Sequence, residues 1–332
     1  MRTEALALGA VMLAALVLYA LFGGADFGGG TWHLLARGPR KEAQREAIAE
    51  AIAPIWEANH VWLILVVVVL FTGFPAAFAA LGTRFHAPLT ALLVAIVLRG
   101  AAFVFRSAPG IARHHARRWG TTFALASVSA ALLLGMNVAA IVSGRPAPLR
   151  LTLTGAWTSP FAVATGLFTL ALFSFLAAVY LSVEAEGALR EDFRRRALLS
   201  GVLCGVLALA TFLLSGDDAP LVRAGLAQRP WSWALHGATA AAALIALFGL
   251  AARRFPLARL AAAAQVGLVV LGWGASQQPY LIVPDITLAS ASAPLATQRV
   301  LLIALAAGAL VLFPSLRLLY KVFKPARPKR PS

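Results

Sequence analysis

The sequence predicts an all-α integral membrane protein of about nine transmembrane helices, arranged as two four-helix bundles plus a peripheral helix. Its apolar content and the placement of its charges lead there. Of 332 residues, 60% are hydrophobic and 13% charged, with a mean hydropathy of +0.81. Soluble domains hold about 45–50% apolar and about 25% charged residues. A chain of this length has too little interior to hide the difference from water. Lipid must solvate it, and the length divides naturally into spans of about 20 residues.

Apolar stretches bounded by charge, Gly or Pro run over Ala5–Leu35, Ile55–Leu81, Pro88–Phe105, Thr121–Val142 and Pro160–Val183. Four more follow: Ala197–Leu214, Trp231–Ala252, Leu257–Ser276 and Val300–Tyr320. The single membrane domain, 1–332, divides accordingly into a first bundle at 5–142, a second at 160–276 and the peripheral helix at 300–320. A short turn near Gly82–Ala87 predicts an antiparallel hairpin of spans two and three, and Arg253–Pro256 predicts another of spans seven and eight. The halves share a faint echo, Tyr19 before Asp26 and Tyr180 before Glu184 and Glu186.

The charges test this division independently. With the N-terminus outside, Arg2, Arg84, Arg145, Arg150, Arg223, Arg229 and Arg299 fall outside and Arg99 falls within a span. The remainder of the 29 Lys+Arg lie in alternate loops and the C-terminal tail, on the inner side. That asymmetry is the positive-inside pattern and predicts a cytoplasmic C-terminus. The net charge of +16 therefore belongs to membrane topology, with no nucleic-acid partner implied. Ala5–Leu21 has the length of a signal segment, but Glu4 offsets Arg2 and the stretch beyond is specialised, so it reads as a retained first helix. Cys204, the only cysteine, excludes an internal disulfide and a thiolate cluster.

Ionisable groups within lipid cost roughly 2.5–3.5 kcal/mol on insertion scales and mark candidate sites. Asp26 sits among Gly23, Gly24, Gly28, Gly29 and Gly30 near the inner end of span one, where small residues let a neighbouring helix approach. It reads either as a proton-relay group or as an interfacial acid ending a helix. Glu57 lies in Pro54-Ile55-Trp56-Glu57-Ala58-Asn59-His60-Val61-Trp62. Pro54 and Glu57 suit a first helical turn, and Trp56 and Trp62 suit an aromatic belt. Asn59 and His60, one turn deeper, need partners and would extend a proton inlet. Arg99 either snorkels to the surface or pairs with Asp26 or Glu57. The six histidines form no i, i+3 or i, i+4 pair, and no P-loop, GxSxG or HExxH motif is present. Catalysis by this chain alone is not expected.

These residues resemble subunit II of the cytochrome bd quinol oxidases. The hallmarks are Asp26-Phe27-Gly28, the Pro54–Ile64 run, Phe71-Thr72-Gly73-Phe74-Pro75, and Arg99 through Phe103 to Arg106-Ser107. Trp119-Gly120, Ser159-Pro160-Phe161-Ala162, Tyr180-Leu181, Glu186-Gly187 and Tyr280–Pro284 echo the family further along. The resemblance implies a multi-pass protein of the bacterial inner (cytoplasmic) membrane, paired with a haem-bearing subunit I. That complex would oxidise quinol and reduce dioxygen to water, with haems b and d and the quinol site in the partner. Subunit II would support the assembly and supply a cytoplasmic proton path through Asp26, Glu57 and Asn59, with Arg99 modulating and His60 as a further candidate. Gly28, Trp56, Trp62, Pro75 and Arg106 carry the structural motif.

The resemblance leaves room for a small accessory subunit, and for a structural quinone or membrane lipid between the bundles. Glu57 stands where well-known members carry Asp, Gly23 replaces a second acid, and the Ser215–Pro230 loop is short. Two other readings compete: a stand-alone transporter, and a scaffold subunit with no proton role. A transporter should place polar groups near the midplane of both halves, whereas here they gather at the inner end of the first.

Overall fold

The computed structural model describes residues 3–52, 60–108, 110–144 and 155–323. Within these, twelve α-helices and one two-stranded sheet form. They are α1 (Thr3–Leu34), α2 (Lys41–Ile52), α3 (Val61–Gly73), α4 (Pro75–Arg84), α5 (His86–Arg106) and α6 (Arg113–Val142). After a 3₁₀ turn at Ala156–Thr158 come α7 (Pro160–Glu184), α8 (Gly187–Asp218), α9 (Pro220–Gln228), α10 (Pro230–Ala251) and α11 (Phe255–Ser276). Strands β1 (Tyr280–Ile282) and β2 (Ile286–Thr287) pair antiparallel before α12 (Leu295–Phe323). Eight helices are long and apolar enough to cross a membrane, and the α3–α4 pair makes a ninth if counted as one span.

Span two differs from the continuous helix expected. It breaks at Phe74, and α4 leaves α3 at 113°. Pro75 has no N–H to continue the ladder and takes the N1 position of α4 instead. The Gly73 carbonyl left at the break accepts a hydrogen bond from the Ala293 N–H at 2.9 Å. Spans two and three consequently do not form a hairpin: α3 packs on α1 and α12, while α5 packs on α6. The α10–α11 hairpin does form. Its turn places Arg253 in the left-handed region (φ 56°) and is closed by Arg254 N–H to Gly249 C=O at 2.7 Å. The Ser215–Pro230 connection is largely the helix α9.

At the centre, α7 packs on α1, α6, α8 and α11. It is the most enclosed span, whereas α12 lies at the edge against α1 and α3. The cap of α7 is written locally: Ser159 Oγ accepts from Ala162 N at 3.1 Å, and Pro160 begins the helix. Gly28 brings α1 and α7 together, because a Cβ there would overlap the Phe173 carbonyl. The core around this contact holds Phe27, Phe123, Phe173, Phe175 and Leu176, each at most 5% exposed.

Ion pairs at the helix ends sort the two faces. Arg299–Glu4 (3.1 Å) and Arg84–Asp285 (2.7 Å) join one end, while Arg40–Asp192 (2.6 Å) and Arg253–Glu191 (3.7 Å) join the Arg-rich end. These pairings follow the alternation that the charges predict. With 32 residues, α8 is about 48 Å long at 1.5 Å per residue. It exceeds a hydrocarbon core of about 30 Å, so its basic first turns, ahead of Ala197, stand outside the apolar layer.

Candidate functional site

The polar groups of α1 are spaced by whole heptads. Tyr19, Asp26 and His33 are seven residues apart, which places all three on one helix face, two turns between each. Arg99 and Arg106 repeat that spacing on α5. Arg99 Nη2 lies 3.7 Å from Asp26 Oδ2, with the two side chains 0% and 5% exposed. Snorkelling is excluded for Arg99, and pairing with Asp26 is what the fold provides.

At 3.7 Å the pair is ionic contact rather than a hydrogen bond. All three guanidinium nitrogens of Arg99 are buried and find no hydrogen-bond partner among the described residues. Aromatic faces take their place: the Arg99 Cζ stands 4.9 Å from the Phe27 ring centre and 5.3 Å from that of Phe123. A desolvated cation over a ring is stabilised by about 2 kcal/mol, which offsets part of the burial cost. Phe123 serves a second cation, since Arg106 Cζ lies 5.2 Å from its centre and 5.4 Å from Phe103. His33 meets the same ring edge-on at 6.2 Å. Phe123 thus separates two layers, Asp26 with Arg99 and His33 with Arg106.

His60, just before α3, tilts against Tyr19 with ring centres 6.4 Å apart, and Trp62 is buried. Glu57, Asn59 and Trp56 lie outside the described residues. Sequence reasoning missed Phe123, whose only signal is its position one turn after Gly120 on a polar-flanked helix. It also missed Gln44 and Asp192, which meet at 3.0 Å at the Arg-rich end.

Several described side chains of haem-ligand type are already engaged by the chain itself. His33 is wedged between Phe123 and the backbone of Gly120, where a Cβ would stand 3.3 Å from Nε2. His86 Nδ1 faces Thr83 C=O at 3.4 Å and His236 Nε2 faces Leu226 C=O at 2.9 Å. His114 and His115 are exposed and tilt against each other with ring centres 3.9 Å apart, and Met136 packs against Gly166. Among the described residues no group of three or more His, Cys, Asp or Glu gathers for a metal ion.

Known proteins match this chain over about half to nearly all of its length. Over 97% of its length it is 25% identical to a putative cytochrome bd menaquinol oxidase subunit II of Bacillus subtilis, covering 96% of that protein. It is 27% identical to the cytochrome bd-I ubiquinol oxidase subunit 2 of Escherichia coli over 53% of this chain and 47% of that one. Its fold superimposes on a chain of the bd oxidase structure from Geobacillus thermodenitrificans with a TM-score of 0.81, at 22% identity, covering 97% of this chain and 99% of that one. The model of the cytochrome bd terminal oxidase subunit II family matches residues 5–323, and the chain belongs to that family.

Proposed function

We propose that this chain is the haem-free subunit of a quinol-oxidising, dioxygen-reducing complex in a bacterial inner membrane, and that it carries a proton path. Its N-terminus faces outward and its Arg-rich end and C-terminus face the cytoplasm. The partner is subunit I, whose haems b and d supply the redox chemistry. A small accessory subunit and a structural lipid or quinone are compatible additions.

The observation that supports the path is the enclosed Asp26–Arg99 pair, two turns inward from His33. A fully buried arginine facing a carboxyl group costs stability unless it serves something else. Asp26 holds and releases a proton while Arg99 compensates its charge, and the aromatic walls of Phe27 and Phe123 keep bulk water away. Glu57 and Asn59, three residues and one residue before His60 in sequence, extend the path toward the cytoplasm, with His60 beside Tyr19 as a further candidate.

The test is Asp26→Asn in the purified complex, with haem absorbance as the measure of assembly and quinol-driven oxygen uptake as the readout. Loss of a positioned proton carrier lowers turnover by about 10²-fold or more. Unchanged turnover in a fully assembled variant would leave the scaffold role only.

A further inference from the structure

We propose that Tyr19 is the third member of the Asp26–Arg99 site, and that its hydroxyl carries the proton onward from Asp26 toward the membrane interior. The inference rests on the proton-path reading. Tyr19 stands two turns before Asp26 on α1, farther from the Arg-rich end, and is 4% exposed. Side chains on a helix usually lean toward its N-terminus. The Tyr19 ring leans the other way. A Cβ on Gly23, one turn later, would stand 2.9 Å from Cε2 and 3.5 Å from Cζ of that ring. The phenol therefore lies along the space that a side chain at position 23 would fill, with its hydroxyl end toward Asp26. Phe27 meets the same ring edge-on at 6.2 Å and also faces Arg99 at 4.9 Å. Arg99 and Asp26 are the two charges that act on the hydroxyl.

Packing does not account for the hydroxyl. Phenylalanine would keep the ring contacts with Gly23, Phe27 and His60. The oxygen is buried and finds no hydrogen-bond partner among the described residues, whereas a buried tyrosine O–H is ordinarily paired. Its chemistry suits a hand-over. A phenol both donates and accepts, so its oxygen can take the proton released by Asp26 while its own proton leaves. The phenol ends neutral, and Asp26 ends as a carboxylate that Arg99 compensates. Between Glu4 and Tyr19, α1 carries only aliphatic residues, Gly9 and Met12. A proton can therefore follow α1 no farther than Tyr19. It leaves on the side of the His60 ring, whose centre lies 6.4 Å from that of Tyr19.

The experiment is a double-mutant cycle in the intact complex, using Tyr19→Phe, Asp26→Asn and the pair together. Haem absorbance monitors assembly, and oxygen uptake is measured in H₂O and D₂O. Tyr19→Phe removes one oxygen and keeps the ring. A positioned proton carrier contributes about 10²-fold or more, so this variant is expected to slow turnover at least about tenfold and to raise the solvent isotope effect. In the Asp26→Asn background it should add nothing, because no proton then reaches the phenol. Gly23→Ala keeps the hydroxyl but pushes the ring aside, and displacing a reacting group by about 1 Å costs up to 10²-fold. It should slow turnover in wild type and add nothing in Tyr19→Phe. Wild-type turnover in an assembled Tyr19→Phe variant, or a loss that multiplies with that of Asp26→Asn, overturns the role of Tyr19. Where only Gly23→Ala assembles, wild-type turnover in it does the same. Wild-type turnover in Asp26→Asn overturns the proton reading instead.

Discussion

Arg99 faces Asp26 at 3.7 Å and sets its guanidinium over the rings of Phe27 and Phe123. The pair is therefore held by charge and by π-faces, which separates its contribution to stability from its contribution to activity. Arg99→Ala leaves a buried carboxyl without its counter-charge and should destabilise by about 3–5 kcal/mol. The double variant Asp26→Leu, Arg99→Leu removes both charges and should melt closer to wild type while remaining inactive. Thermal denaturation of the complex beside oxygen uptake checks both halves.

Gly28 leaves no space for a methyl group, because backbone lies against it on α7. Gly28→Ala must separate α1 from α7 and should cost at least the 1–3 kcal/mol or so of an overpacked core. At Gly205 on α8 a Cβ would meet nothing within 4 Å among the described residues. Gly205→Ala should be neutral or stabilising by up to about 1 kcal/mol. Yields of assembled complex and melting temperatures of the two variants make the comparison.

Hydrogen bonds from Arg40 hold the Asp192 carboxyl below the usual carboxylate range, with Gln44 adding to the effect. A lowered folded-state value means that its stabilisation is present above the unfolded value of about 4. It fades as pH falls through the lowered folded value. Melting curves of wild type and Asp192→Asn should therefore differ at neutral pH and converge in acid. A constant offset across the whole range would contradict this.

Phe123 is fully buried and is shared by Arg99, Arg106 and His33. Phe123→Ala should cost about 3–5 kcal/mol through the cavity alone, with both arginines losing a ring face. Phe123→Tyr keeps the π-surface and should be much milder in assembly and melting. Equal losses in the two variants would show that volume and aromaticity do not matter there.

Much of the fold was legible because membrane spans follow apolar runs and the positive-inside pattern. The apolar runs expected from Pro88 onward each correspond to one continuous helix, although α6 and α8 begin well ahead of theirs and α12 carries Pro314 inside it. Span two was misjudged where a local rule was available: Pro75 ends one helix and begins another, but the apolar run continues through it. The helix α2 was also readable in principle, with Gln44, Ala47, Ile48 and Ala51 on one face and Glu42 and Glu46 opposite. It is too short and polar to register as a span.

For the site, Asp26 and Arg99 stood out because charge in lipid needs a reason, and the fold brings them together. Phe123 and Asp192 did not stand out. An aromatic in an apolar helix and an acid in a basic loop are unremarkable until tertiary packing sets them beside arginines. Glu57 and Asn59 remain sequence expectations.

The break between α3 and α4 makes the beginning of the molecule dependent on its end. The carbonyl freed at Gly73 sits on an early span, while the amide that satisfies it, Ala293, belongs to the segment just before α12. A ribosome releases that amide only after nearly all the other helices have been made. Until then the young chain carries an unpaired polar group on a membrane helix, a cost of several kcal/mol in hydrocarbon. Insertion therefore cannot be finished helix by helix. A chain cut short before Ala293 would leave the Gly73 carbonyl without this partner, although most of its spans were already in place.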